Sequence, residues 1–227
     1  MFVSVVIVAA GRGKRMGESI NKVFLNLNGK PVLYHTINAF ENLPAVQEII
    51  LVVSKGEIKY CKENIVDKFR FTKVKKIVEG GEERQQSVFN GLMSVNEKAT
   101  IIAIHDGARP LITSEVILQA IEAAYIYKAV GVGVPVKDTI KVVNNQNVVI
   151  NTPDRRTLWS IQTPQVFEKE IILNAHKKAI ADGFAGTDDT VLIERMGIDV
   201  MLVEGDYKNI KITTPEDLII AEAFLKK

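Results

Sequence analysis

The sequence predicts an α/β protein: a mainly parallel sheet with helices on both faces and a protruding β-hairpin arm. Three observations carry this expectation. Short β-branched runs alternate with amphipathic stretches of helical period, as strand–helix repeats require. A basic, glycine-rich loop follows the first strand directly. One segment, 136–150, breaks the rhythm and reads as two short strands around an Asn-rich turn.

Residues 3–8 are apolar apart from Ser4, as expected of a strand covered on both faces. The first ten residues resemble the apolar core of a signal peptide, but no basic segment precedes them and a Gly/Arg/Lys loop follows, so they read as a buried strand. A helix at 32–41 comes next, then a strand at 48–53 and a helix at 57–68. Strand 74–78 leads to helix 84–95, and strand 100–104 to helix 115–127. Two more strands are expected at 131–134 and 200–203. Thr213-Thr-Pro-Glu-Asp217 starts the last helix, with a Thr cap, a Pro in the first turn and two acids on the positive end of the helix dipole. The arm, taken as 136–158, has no neighbour within the sheet. An isolated hairpin is marginal in water, so it must pack on its own domain or reach another subunit. Nothing marks a domain boundary or repeat, and one domain over 1–227 is expected.

The apolar fraction is 47%, the charged fraction 25% and the net charge +2. These are values of an ordinary soluble globular protein, and so small a charge argues against binding nucleic acid by neutralising many phosphates. The single cysteine, Cys61, excludes an internal disulfide and a thiolate zinc site, and with no His nearby in sequence it reads as structural. His35, His105 and His176 are too scattered to suggest a metal cluster. No apolar run is long enough to cross a bilayer, so a cytoplasmic protein without membrane contact is expected.

The first chemical signal is Ala9-Ala-Gly-Arg-Gly-Lys-Arg-Met-Gly17, followed by Asn21-Lys22. Small residues let the backbone approach a polyphosphate, and their N–H groups can cradle it. Arg12, Lys14, Arg15 and Lys22 face a single acid, Glu18, a balance suited to a triphosphate. The third glycine falls one residue late for the dinucleotide fingerprint, and the Gly-Lys-Ser/Thr of a P-loop is absent. The second signal is His105-Asp-Gly-Ala-Arg-Pro110, after a buried strand. Asp106 thus falls at a strand's carboxyl end, where open α/β sheets bind ligands and where a carboxylate can hold Mg²⁺ or a ribose hydroxyl; a turn-capping Asp is the plainer alternative. The third signal is dispersed: Asp138-Thr139, Asp154-Arg155-Arg156, Gln162-Thr-Pro-Gln165, Thr187-Asp-Asp189 and Asn209-Ile-Lys-Ile-Thr213 each set a donor or acid beside a strand or turn.

In this order, with Gly80-Gly-Glu-Glu-Arg-Gln-Gln-Ser87 and Asp154-Arg-Arg-Thr-Leu-Trp159 between them, these segments resemble one family. The chain is similar, over essentially its whole length, to the 2-C-methyl-D-erythritol 4-phosphate cytidylyltransferases of the non-mevalonate isoprenoid pathway. The resemblance implies a Rossmann-like sheet of the nucleotide-diphospho-sugar transferase type, and a homodimer in which the 136–158 arms exchange contacts. It implies attack of the methylerythritol phosphate on CTP, giving 4-diphosphocytidyl-2-C-methyl-D-erythritol and pyrophosphate, with Mg²⁺ or another divalent cation. By the same resemblance Ala9, Ala10, Gly11, Gly81, Glu82 and Ser87 would bind the cytidine, and Asp106 would lie beside the ribose and the metal. Arg15 and Lys22 would stabilise charge on the α-phosphate. Arg155 and Lys211 would position the acceptor with Thr163 nearby, and Thr139 and Arg109 would reach its phosphate from the partner subunit.

The chemistry is coherent without the family. The nucleophile is a phosphate oxygen already ionised at neutral pH, so positioning and charge stabilisation suffice and no general base is required. Two departures stand out: Asn21 and Val23 flank Lys22 where the family commonly has Pro and Gln, which is expected to loosen the lysine's placement, and Glu82 stands where Asp is frequent. The nearest alternative is a ribitol 5-phosphate cytidylyltransferase, whose motif usually carries Ala-Val where this chain has Gly107-Ala108. A CTP-sensing module without turnover is the alternative of a different class.

Overall fold

The computed structural model describes residues 2–11 and 21–226. Strand β1 (Val3–Val8) is followed, after a 3-10 turn at Lys22–Phe24, by a small hairpin of β2 (Asn26–Leu27) and β3 (Lys30–Pro31) and by helix α1 (Val32–Glu41). Next come β4 (Glu48–Val53), α2 (Ile58–Cys61) continued by a π-helical segment over Lys62–Asp67, β5 (Val74–Glu79) and α3 (Arg84–Leu92). The chain goes on through β6 (Ile101–Asp106), α4 (Ser114–Tyr127) and β7 (Ala129–Pro135) to the arm strands β8 (Val142–Val143) and β9 (Val149–Asn151). It closes with β10 (Trp159–Glu168), α5 (Lys169–Ala181), α6 (Thr190–Glu194), β11 (Met201–Glu204) and α7 (Pro215–Leu225).

Seven strands form one sheet in the order β11-β7-β10-β6-β1-β4-β5. Strand periodicity divides its side chains between two cores. On β1, Val5 and Ile7 join one apolar cluster with α1 and α4, while Val6 faces the other, beside α3 and α5. The β6 strand repeats the division, Ala103 to one side and Ile102 and Ile104 to the other. Burial on both faces is what makes these strands read as largely apolar runs.

The β1, β4, β5 and β6 strands are mutually parallel, as is the β7–β11 pair. Between these two groups lies β10, antiparallel to both β6 and β7 and absent from the sequence expectation. Its Gln162-Thr-Pro-Gln165 stretch contains a proline, which has no N–H for a ladder, and the register shifts between Gln162 and Gln165. A bulge in the middle of the strand thus makes the sequence resemble a loop.

Among the described residues the arm strands pair only with each other, as a separate two-stranded sheet. Its turn is closed by Asn144 Oδ1, which accepts from the N–H groups of Gln146 and Val148 at 3.0 Å each. At the root, Tyr207 Oη donates to the Pro135 carbonyl at 2.7 Å and Lys137 Nζ sits 3.4 Å above the Tyr207 ring. The start of α7 is the expected one: Asp217 Oδ2 accepts from the N–H of Thr214 at 2.8 Å and from that of Thr213 at 2.7 Å.

Candidate active site

The carboxyl ends of β1, β5 and β6 open onto a cavity of about 700 Å³. Ala9, Ala10 and Gly11 form the wall that continues β1. Gly81, Glu82, Glu83, Arg84 and Ser87 line it from the β5–α3 junction. Lys22, Asp106, Lys211 and Thr213 complete the polar lining. The junction needs Gly80, because a Cβ there would lie 2.4 Å from Ala10 Cβ and 2.7 Å from Ser87 Oγ. Ser87 Oγ accepts from the Gly81 N–H and donates to the Glu83 carbonyl, both at 3.1 Å, so it shapes the loop from inside.

Asp106 is the electrostatic centre. Its Oδ2 lies 2.7 Å from Lys211 Nζ and 3.8 Å from Arg109 Nε, and its Oδ1 lies 3.3 Å from Arg84 Nε. Burial alone would raise the Asp106 pKa; Arg84 and Lys211 reverse this and hold the carboxyl well below the usual range. Arg84 in turn reaches Asp189 Oδ2 at 2.8 Å, and His176 Nε2 sits 3.2 Å from Asp189 Oδ1. Burial works against the Arg84 charge, but Asp189 and Asp106 outweigh it and raise the guanidinium pKa. Arg109 shows the opposite balance, since burial lowers its pKa despite Asp106.

The backbone of Asp106 is fixed through a buried relay. Its N–H donates to Thr163 Oγ at 3.0 Å, and Thr163 Oγ lies 3.1 Å from His105 Nδ1. His105 Nε2 lies 3.1 Å from the Arg109 carbonyl, which can only accept, so the ring is protonated at Nε2 and Nδ1 accepts from the Thr163 hydroxyl. Burial pushes the His105 pKa down to about 4, which keeps this neutral tautomer. Lys211 is held between two anchors. Asn209 Nδ2 donates to Gln162 Oε1 and the Thr163 carbonyl at 3.1 and 3.0 Å, and the Ile212 N–H donates to the Ala108 carbonyl at 2.8 Å.

The sequence of residues 3–227 matches the profile of the family described as IspD, 2-C-methyl-D-erythritol 4-phosphate cytidylyltransferase. A curated relative of that name from Caldanaerobacter subterraneus subsp. tengcongensis is 63% identical over 227 residues, covering all of both chains. The chain belongs to the 2-C-methyl-D-erythritol 4-phosphate cytidylyltransferase family. A second relative of that name, from Alkaliphilus metalliredigens, is 52% identical over 99% of this chain and 93% of its own. Two solved structures extend the match. The 4-diphosphocytidyl-2C-methyl-D-erythritol synthase of Anaerococcus prevotii superposes with a TM-score of 0.88 at 35% identity, covering 100% of this chain and 96% of that one. The cytidylyltransferase of Thermus thermophilus gives 0.82 at 30%, covering all of both chains.

Of the residues expected in this cytidylyltransferase site, Ala9, Ala10, Gly11, Lys22, Gly81, Glu82, Ser87, Asp106 and Lys211 come together in one cavity wall. Thr163 stands directly behind it. Arg15 lies outside the described residues. Thr139 and Arg155 are exposed on or beside the arm, away from that wall, and Arg155 Nη1 donates to the Lys137 carbonyl at 3.0 Å. Arg109 folds inward onto Asp106 of its own chain and donates to the Asn209 carbonyl at 2.7 Å. Sequence reasoning assigned no role to Arg84, although it quoted the segment containing it; its partners Asp106 and Asp189 are far away in sequence. Among the described residues no group of three or more His, Cys, Asp or Glu is placed to hold a metal, and no helix is long and apolar enough to cross a membrane.

Proposed function

We propose that this enzyme attaches the cytidylyl group of CTP to the phosphate of 2-C-methyl-D-erythritol 4-phosphate and releases pyrophosphate, with the residue roles that follow. The observation that carries the roles is that Arg84 and Lys211 pair with Asp106 in the same cavity that Lys22 lines, beside small residues and backbone. Ala9, Ala10, Gly11, Gly81 and Glu82 receive the cytidine, over the loop that Ser87 shapes. Lys22, with Arg15, faces the α-phosphate, where negative charge builds as the acceptor oxygen attacks and pyrophosphate departs. Lys211 alternates between the Asp106 carboxylate and the acceptor, and Arg84 stays on Asp106 when Lys211 turns away.

A divalent cation fits this chemistry as a partner of the nucleotide phosphates. Mg²⁺ usually takes one or two carboxylates plus phosphate oxygens, and Asp106 offers one carboxylate already shared among cations. When bound, the metal would neutralise polyphosphate charge, with Asp106 as its protein ligand.

The enzyme acts as a homodimer in the cytoplasm. Ile140, Val142, Val143, Val148, Val149 and Ile150 are 39–64% exposed along the arm, an apolar strip that a second copy would cover. Thr139 and Arg155, carried by or beside that arm, then serve the neighbour's acceptor phosphate, while Arg109 braces Asp106 within its own chain.

The test is pyrophosphate release with CTP and Mg²⁺, comparing 2-C-methyl-D-erythritol 4-phosphate with ribitol 5-phosphate. Fast release with the first alone is the expected result. Release with the second alone overturns the acceptor, and silence with both despite tight CTP binding makes the protein a sensor.

A further inference from the structure

The residue before Lys22 is not a passive spacer. Asn21 is 6% exposed, and its side chain joins three segments that are distant in sequence. Its Nδ2 donates to the Ala9 carbonyl at 2.9 Å and to Glu57 Oε2 at 3.0 Å, with Ser54 Oγ at 3.4 Å. Its Oδ1 accepts from the Val23 N–H at 3.4 Å, which caps the 3-10 turn Lys22–Phe24. Glu57 is itself fixed, because the same Oε2 accepts from the Ser54 N–H at 3.1 Å. Ala9 continues β1 and Ser54 follows β4, so the clasp ties the ends of two adjacent core strands to the backbone on which Lys22 is carried.

We propose that Asn21 is a positioning residue for the transfer step. Its amide, with Glu57 as anchor, sets where the Lys22 backbone sits against the ends of β1 and β4, and hence where the lysine meets the α-phosphate. This rests on the role given to Lys22 above. Asn suits the position because it must donate to a carbonyl and a carboxylate while accepting from an N–H, and its amide does both. This side-chain clasp offers a restraint of a different kind from the proline the family commonly carries here.

The experiment is a charge-logic series of Asn21→Ala, Asn21→Asp, Glu57→Gln and the double variant Asn21→Asp/Glu57→Gln. Turnover, KM for CTP, CTP affinity by calorimetry and melting temperature are read for each. Misplacing a catalytic group by about an ångström costs on the order of 100-fold. Asn21→Ala is expected to lower kcat about tenfold with KM for CTP changed less than about threefold. Asn21→Asp is expected to lower kcat about 100-fold at neutral pH, because a carboxylate then faces Glu57 and the Ala9 carbonyl. Adding Glu57→Gln restores a donor to the pair and is expected to recover about tenfold. If the single variants melt lower yet keep wild-type kcat, or the double variant recovers nothing, Asn21 is structural only and the proposal fails. A wild-type enzyme without turnover would instead sink the functional reading, and the same rescue pattern sought in CTP affinity would then judge the clasp.

Discussion

Replacing Thr163 with Val tests the link between the fold and the site most directly. The two side chains have nearly the same shape, so the change removes one hydroxyl and opens no cavity. That hydroxyl accepts from the Asp106 N–H at 3.0 Å and faces His105 Nδ1 at 3.1 Å, and both partners are buried. A buried polar group left without a partner costs about 1–3 kcal/mol, so the two together predict a stability loss of about 2–6 kcal/mol. For a chain of this length that corresponds to a fall of about 4–24 °C in Tm. Thr163→Ser keeps the hydroxyl and is expected to stay within about 1 kcal/mol of the parent. The assay is denaturant unfolding of both variants, followed by kcat at a temperature where each is folded. A folded Val variant should still be slow, since the Asp106 backbone has lost its restraint and the carboxylate organises Arg84 and Lys211. A Val variant with the parent's unfolding midpoint and kcat would refute the reasoning.

Acid should weaken the same relay. Because burial lowers the folded His105 pKa from 6.5 to about 4, the unfolded chain binds more protons between those values. This contribution is fully present above pH 6.5 and is lost as pH falls toward 4, by up to roughly 3 kcal/mol. Asp106 and Asp189, whose pKa values are also depressed, extend the loss to lower pH; an unfolding midpoint unchanged from pH 7 to pH 5 would contradict it. Lys22→Ala and Arg15→Ala are each expected to lower kcat by about 10²–10³, and near-normal turnover in either would remove it from the α-phosphate. Val149→Lys with Ile150→Asp puts charge on the apolar strip of the arm and should yield a monomer in sedimentation. If Thr139 and Arg155 serve a neighbour, that monomer should also bind the acceptor poorly while binding CTP normally.

The central parallel strands β1, β4 and β6 were legible because burial on both faces leaves a mark in the chain itself. The observed β1 and β4 carry the bounds that their apolar runs predict, and α7 begins at the Thr-Thr-Pro-Glu-Asp signal. The hairpin arm was readable from its turn chemistry. By contrast, β10 was not, because a proline and a register shift interrupt its alternation. Helix α5 was missed as well, and with it the position of His176 behind Asp189.

The sequence by itself determined the family, the glycine-lined cavity wall, and the residues Lys22, Asp106 and Lys211 that share it. Each of these lies in a local segment whose residue types follow from backbone approach or charge. Only the tertiary structure decided what those residues lean on. Arg84 is 22 residues from Asp106 and Asp189 is 83 from it, yet one guanidinium bridges the two carboxylates. Thr163 is 57 residues from the N–H it receives, and Asn21 is 36 from the carboxylate that anchors it. Such pairs leave no periodic signal in the chain, because strands adjacent in the sheet are separated in sequence by whole helices and crossovers.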